Sequence, residues 1–146
     1  MFFSFSFIKL KIRNRMEMNF FFIFMFVLAL YLIFDALWFS VFSFNAIYKP
    51  QFELLNGSKM NVRKTSSFLT YILLSLGLSL VLYFFYPIDI GESFLVGMIY
   101  GFILYGVYNG TNYSTIKNYK LKTVYLDTTW GMIVSGIIST LVSLLS

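Results

Sequence analysis

The sequence predicts an all-α protein built as a bundle of four transmembrane helices. Of its 146 residues, 59% are hydrophobic and only 12% are charged, and the mean hydropathy is +0.79. Soluble domains carry about twice that share of charged residues. The chain also contains four separate apolar stretches, each close to the ~20 residues that a helix needs to cross a bilayer. We therefore expect a multi-pass integral membrane protein.

The composition excludes several kinds of chemistry. The sequence contains neither cysteine nor histidine. Thiol nucleophiles, disulfides, imidazole acid–base catalysis and the usual zinc and haem ligands are therefore missing. We expect no cofactor and no metal site, and no motif for nucleic-acid binding occurs.

The chain begins with an unusual basic segment. Apolar and basic residues alternate from Ile8 to Arg15, and Met16 and Met18 follow before the first long apolar stretch. Residues 1–17 are either a basic arm that lies on the membrane surface or a spurious upstream extension of the reading frame. Residues 18–146 are expected to form a single four-helix membrane domain.

The four spans are bounded by breaks in the apolar pattern. Pro87 ends the second span because proline cannot continue a helix comfortably. Asn56-Gly57 predicts a turn within the first loop, and that loop is expected to lie on the membrane surface. The predicted spans are residues 19–42, 66–86, 93–113 and 124–145.

Charge predicts the orientation of the bundle. Seven of the 11 Lys and Arg residues lie in residues 43–65 and 114–123, and the other four precede Met16. Positive residues are enriched on the cytoplasmic side of membrane proteins. The two loops are therefore predicted to be cytoplasmic.

One short pattern occurs twice. Asp35 and Trp38 close the first span, and Asp127 and Trp130 open the fourth, each pair at i and i+3 on one helix face. A charged side chain at bilayer depth costs about 2.5–3.5 kcal/mol on insertion scales, so Asp35 needs compensating interactions. By topology, both pairs lie toward the same membrane face.

The third span also ends on that face with a polar stripe. Tyr105, Tyr108, Asn109 and Asn112 lie at i, i+3, i+4 and i+7, with Thr111 nearby in the chain. Further back, the small residues Gly97 and Gly101 predict close helix packing. The second span adds a common face made of Tyr71, Ser75 and Ser79.

Each of these residues also has a purely structural interpretation. Asp127 is explained by capping and by the dipole of its helix, and the two Trp residues by the aromatic belt at a membrane interface. The Tyr and Asn stripe could equally hold helices together. For Asp35 both interpretations stay open, because intramembrane acids are often functional.

The sequence resembles a family of predicted membrane proteins, domain of unknown function 2177. The resemblance rests on three separated pieces in the expected order: Tyr105-Gly-Val-Tyr-Asn-Gly-Thr-Asn112, Thr115-Ile-Lys117 and Leu126-Asp-Thr-Thr-Trp-Gly131. Asp35-Ala-Leu-Trp38 and Tyr48 just beyond it add to the resemblance. It covers nearly the whole chain after about Met18 and implies four membrane helices without an assigned activity. Two positions depart from the family pattern: Asn109 replaces an acid, and Tyr119 replaces a Trp.

Three hypotheses about function follow. The first is a small transporter that couples to cations or protons, or a bundle that binds a solute or lipid, with Asp35 and Asp127 as ion sites. The alternative is a structural or assembly factor whose polar residues serve helix packing. An intramembrane enzyme with paired carboxylates ranks last, because no nucleophile motif is present. The expected partners are the lipid bilayer and a second copy of the chain, and not nucleic acid.

Overall fold

The computed structural model describes residues 19–85 and 89–145, and within these ranges the chain is helical with no β-strand. The predicted N-terminal segment 1–17 lies outside the described residues. The helices are α1 (Phe20–Trp38), a π-helical segment (Phe39–Tyr48), α2 (Lys49–Asn56), α3 (Lys64–Phe85), α4 (Ile90–Thr115) and α5 (Leu121–Leu145).

The prediction of four transmembrane helices is confirmed in the described part of the chain. Four helices are long and apolar enough to cross a membrane: Phe20–Val41, Lys64–Phe85, Ile90–Thr115 and Leu121–Leu145. Each extends over most or all of one predicted span. The fold is an all-α bundle in which α1 and α3 pack together and α4 packs along α5.

Two side chains begin helices by accepting hydrogen bonds from free backbone amides. The side chain of Asn19 accepts from the Phe21 amide at 2.9 Å, at the start of α1. The Asp89 carboxylate accepts from the Glu92 amide at 2.8 Å, at the start of α4. Both residue types are favoured at this position because they replace the hydrogen bonds that the first turn lacks.

The first loop differs from the prediction, because most of it is helical. The chain continues from α1 through the π-helical segment into α2 and leaves the helix only at Gly57. Pro50 lies in the first turn of α2, where no backbone amide is needed as a donor. Gly57 takes a left-handed conformation with φ of 62°, so the predicted turn at Asn56-Gly57 is present.

Helices α4 and α5 approach each other closely at glycines. A Cβ at Gly97 would overlap the backbone of Ser135, and a Cβ at Gly101 would overlap the carbonyl of Gly131. This is the close helix approach that small residues four apart allow in membranes. The structure thus places both glycines of the predicted packing motif in the contact between α4 and α5.

The two helix pairs are joined by an apolar core and by buried hydroxyl groups. Nine buried residues form that core: Ile23, Val27, Tyr31, Leu74, Leu78, Leu82, Val134, Ile138 and Val142. The Tyr31 hydroxyl and the Ser135 hydroxyl lie 2.7 Å apart, which links α1 to α5. The Tyr100 hydroxyl donates to the Leu74 carbonyl at 2.8 Å, which links α4 to α3.

Candidate functional site

Asp35 lies inside the bundle near the end of α1. Its residue surface is only 5% exposed. The Trp130 indole nitrogen on α5 donates to its Oδ1 at 2.7 Å, and the Tyr71 side chain on α3 forms a second hydrogen bond to the carboxylate. Three helices therefore meet at one carboxylate. No lysine or arginine of the described residues is among the groups that act on its charge.

The two tryptophans of the repeated pattern lie against each other. The rings of Trp38 and Trp130 are stacked with centroids 4.5 Å apart and 4° between their planes. The Trp38 indole nitrogen donates to the Tyr48 hydroxyl at 3.5 Å, a long hydrogen bond. The stack joins the end of α1 to the first turns of α5.

Asp127 is the second carboxylate of the site and has two donors of its own. The Tyr48 hydroxyl donates to one oxygen, and the Asn109 amide donates to the other at 2.6 Å. Asn109 is completely buried. Its amide nitrogen also donates to the Tyr105 carbonyl at 2.9 Å, and its oxygen accepts from the Tyr119 hydroxyl at 2.8 Å.

Burial and negative charge act on the two phenols at this end. Burial raises the pKa of Tyr48 well above its usual value, and the neighbouring Asp127 carboxylate raises that pKa further. Burial also raises the pKa of Tyr119 to about 12. Both phenols therefore keep their protons at neutral pH and serve as hydrogen-bond donors.

These contacts connect the two carboxylates. From the loop after α4, hydrogen bonds run through Tyr119, Asn109, Asp127 and Tyr48 to Trp38, and the indole stack continues to Trp130 and Asp35. We call this set the polar cluster; its members are Asp35, Trp38, Tyr48, Tyr71, Asn109, Tyr119, Asp127 and Trp130.

Gln51 holds the loop that carries Tyr119. Its residue surface is 1% exposed, although it lies on the short helix α2 outside the spans. Its amide nitrogen donates to the Asn118 carbonyl at 3.1 Å, and its oxygen accepts from the Lys120 amide at 2.9 Å and from the Thr123 hydroxyl at 3.4 Å. Asn118 itself has a positive φ of 70°, a conformation that asparagine tolerates.

The structure brings together most of the residues that the sequence singled out. Five of them belong to the polar cluster: Asp35, Trp38, Asn109, Asp127 and Trp130. Tyr105 is half-buried, and its ring packs against Gly131 beside the cluster. Asn112 is half-buried and its side chain contacts Tyr119.

Two of the predicted site residues lie elsewhere. Tyr108 is 53% exposed, and Thr111 is also exposed. Both are on α4, where the Asn109 side chain is buried in the bundle and the side chains of Tyr108 and Thr111 lie on the exposed face. The predicted stripe on this helix is therefore narrower than the spacing suggested.

Four residues of the arrangement were missed as site residues. Tyr48 and Tyr119 appeared only through the family resemblance, and Tyr71 only as part of a face with two serines. Gln51 carried no signal, because its partners lie 67 to 72 residues further along the chain. In a segment that the sequence predicts to be a loop, a buried glutamine cannot be distinguished from an exposed one.

An open groove on the outer surface does not belong to the site. It has a volume of about 430 Å³ and lies between α4 and α5, where Phe102, Ile103, Val107 and Tyr125 are among its lining residues. No member of the polar cluster lines it. In the described residues, no group of three or more acidic side chains that could hold a metal ion occurs.

Comparison with known proteins agrees with this architecture. The family described as predicted membrane protein (DUF2177) matches residues 20–144, which include the whole polar cluster and the four spans except for the last residue of the fourth. No curated protein and no solved structure matches the chain. Since the match covers most of the sequence, the chain belongs to the DUF2177 family of predicted membrane proteins.

Proposed function

We propose that the protein is a small membrane transporter that couples to protons or cations, with Asp35 as the ion-binding carboxylate. One observation carries the proposal: Asp35 is buried within a membrane span and has two hydrogen-bond donors, but no lysine or arginine of the described residues acts on its charge. An isolated carboxylate in apolar surroundings is costly, so a bound proton or cation offsets its charge.

The residues around Asp35 suit the task of holding an ion reversibly. Trp130 and Tyr71 donate from two different helices, so a change in the charge of Asp35 alters the contacts of α1 with both α3 and α5. Asp127 provides a second acid nearer the loops, and it too is held by neutral donors. Ion binding at the cluster is thereby linked to helix packing.

The test is an ion-flux measurement on the full-length chain in liposomes. A potassium diffusion potential drives proton entry, which a trapped pH-sensitive dye reports, and a sodium gradient replaces the proton gradient in a parallel series. We expect Asp35→Asn to abolish the flux. The matched control is Asp89→Asn, because Asp89 is an exposed helix cap outside the cluster. Flux that survives Asp35→Asn unchanged overturns the proposal.

We also propose an orientation in which the loops 43–65 and 114–123 face the cytoplasm. Its basis is the share of Lys and Arg in these loops. The polar cluster then opens toward the cytoplasmic side, since Tyr48 and Tyr119 lie just outside the spans on that side. Glycan addition at Asn56 during expression in a eukaryotic cell, within its Asn-Gly-Ser sequence, would reverse this orientation.

A second candidate function is a structural or assembly role. It is supported by Asp127, whose two oxygens accept from Tyr48 and Asn109 and so connect the π-helical segment, α4 and α5. Under this alternative, Asp127→Asn and Asp35→Asn reduce the stability or assembly of the protein and leave no transport defect to observe. Normal abundance and assembly of both variants would exclude it.

A further inference from the structure

Three buried serine hydroxyls in the middle of the bundle have no hydrogen-bond partner within the described part of the chain. Ser75 and Ser79 on α3 and Ser139 on α5 are fully buried, and none of their hydroxyl oxygens forms a hydrogen bond with any described residue. Serine within a helix can bond to the carbonyl one turn earlier. Thr140 does so, because its hydroxyl donates to the Gly136 carbonyl at 2.9 Å. The three serines therefore differ from Thr140, because their hydroxyls do not bond to the backbone of their own helix.

The positions of these serines follow from the polar cluster. Ser75 and Ser79 lie one and two turns beyond Tyr71, which contacts Asp35. Ser139 lies one turn beyond Ser135, whose hydroxyl is paired with Tyr31. Asp35 lies toward the loops 43–65 and 114–123. All three serines lie further into the bundle, in the direction of the opposite end, where α4 begins.

Ser139 lies where α4 and α5 come close together. A Cβ at Gly97 would lie 2.6 Å from the Ser139 Cβ, so glycine and serine face each other across α4 and α5. Buried polar groups without a protein partner are commonly satisfied by internal water, which makes two to four hydrogen bonds in a polar site. Serine hydroxyls at successive turns provide such partners.

We propose that Ser75, Ser79 and Ser139 hold internal water molecules that extend the hydrogen bonds of Asp35 into the middle of the bundle, away from the loops 43–65 and 114–123. This proposal rests on the proposed function and identifies its ion as the proton. A metal cation that leaves water needs several oxygen ligands around one point. Three neutral hydroxyls spread over two helices and two turns do not provide them, whereas a proton needs only a chain of hydrogen bonds.

The chain allows a direct test because it contains no cysteine. Single variants Ser75→Cys, Ser79→Cys and Ser139→Cys each place one thiol of nearly serine size in the full-length protein. The protein is reconstituted in liposomes and exposed to hydrogen peroxide, a neutral molecule not much larger than water that oxidises thiolates where water reaches them. Thiols that remain free are then counted by maleimide labelling after unfolding.

The controls are Ile138→Cys and Leu73→Cys. Ile138 is fully buried in the apolar core next to Ser139, and Leu73 is 67% exposed on the outer face of α3. Because apolar cavities stay dry, we expect the three serine-site thiols to react about tenfold faster than the thiol at Ile138. Equal rates at the serine sites and at Ile138 overturn the proposal.

Two further measurements separate this proposal from the proposed function. Water-edited solid-state NMR of the wild-type chain needs no substitution, and it is expected to show rapid magnetisation transfer from water to the three serines. Slow transfer at all three overturns the water path even if a cysteine variant misfolds. If the serines are hydrated but Asp35→Asn leaves proton flux unchanged, the transport function fails and the water path stands. If flux depends on Asp35 but the serines are dry, only the water path fails.

Discussion

The indole rings of Trp38 and Trp130 lie parallel, with 4.5 Å between their centroids. The two Asp-x-x-Trp patterns thereby pair in a crossed manner. Trp130 of the second pattern donates to Asp35 of the first, and Trp38 of the first pattern donates to Tyr48, which in turn donates to Asp127 of the second. Asp35 thus accepts directly from the other pattern, whereas Asp127 is linked to the other pattern through Tyr48.

Replacement of Trp130 by Phe tests this crossed pairing. The variant keeps an aromatic ring for the stack but loses the hydrogen bond to Asp35. We therefore expect the free energy of unfolding to fall by about 1–2 kcal/mol. Trp38→Phe is the matched control, because it removes only the 3.5 Å hydrogen bond to Tyr48 and is expected to cost less. Unfolding in mixed detergent and SDS micelles measures both. Equal losses would contradict the crossed arrangement.

Gly101→Ala tests the close approach of α4 and α5. The added Cβ would overlap the Gly131 carbonyl and would lie 2.8 Å from the Ser135 hydroxyl oxygen. We therefore expect the free energy of unfolding to fall by about 1–3 kcal/mol. Gly110→Ala on the same helix is the control, because its added Cβ has no described atom within 4 Å apart from the adjacent backbone of α4 itself. Alanine is the better helix former by about 1 kcal/mol, so this control is expected to be neutral or stabilising. The same unfolding assay compares them, and similar losses at both positions would argue against the contact.

Gln51→Leu tests the contact between α2 and the loop that follows α4. The substitution leaves the Lys120 amide and the Asn118 carbonyl without their partner, which costs about 1–3 kcal/mol. We expect trypsin to cleave faster at Lys117 and Lys120. Leu54→Ala, an exposed change on the same short helix, is the control and should leave cleavage unaltered. Unchanged cleavage in Gln51→Leu would show that the loop is held by other contacts.

Alkaline pH is expected to weaken the loop end of the polar cluster through Tyr119. Its folded-state pKa of about 12 lies above the ordinary value, so its contribution to stability is present below about pH 10 and is lost as the pH rises through 12. Thermal unfolding in detergent between pH 8 and 12 measures this slope. Tyr119→Phe should be less stable than the wild type at pH 8, and its stability should fall less steeply as the pH rises. Tyr125→Phe, an exposed change, should keep the wild-type slope; an equal slope in all three proteins would contradict the assignment.

The sequence predicted the spans because length and hydropathy determine which segments can cross a bilayer. It also placed Asp35 and Asp127 toward one membrane face, because Asp35 lies near the end of the first span and Asp127 near the start of the fourth. The helical continuation of α1 into α2 was missed. Its residues 43–56 include polar and charged positions that resemble a loop, and only tertiary contacts such as those of Gln51 show that the segment is packed.

The partners of each carboxylate could not be read from the pattern. The sequence favoured an interface role for Trp38 and Trp130. Their stacking on each other depends on how α1 and α5 are turned about their axes. The rotation of α4 likewise decides that Asn109 is buried while Tyr108 is exposed. Helix rotation is set by packing against neighbours, which hydropathy does not encode.

The hydrogen bond between Asp35 and Trp130 joins residues 95 positions apart, which has a consequence for biosynthesis. At roughly 5–20 residues per second, the ribosome reaches Trp130 about 5–20 s after Asp35. Tyr71 reaches the membrane earlier, but α5 arrives last. During this interval the nascent first helix carries a carboxylate without its strongest partner. A chain that is interrupted before α5 therefore carries into the membrane a carboxylate that lacks the hydrogen bond from Trp130.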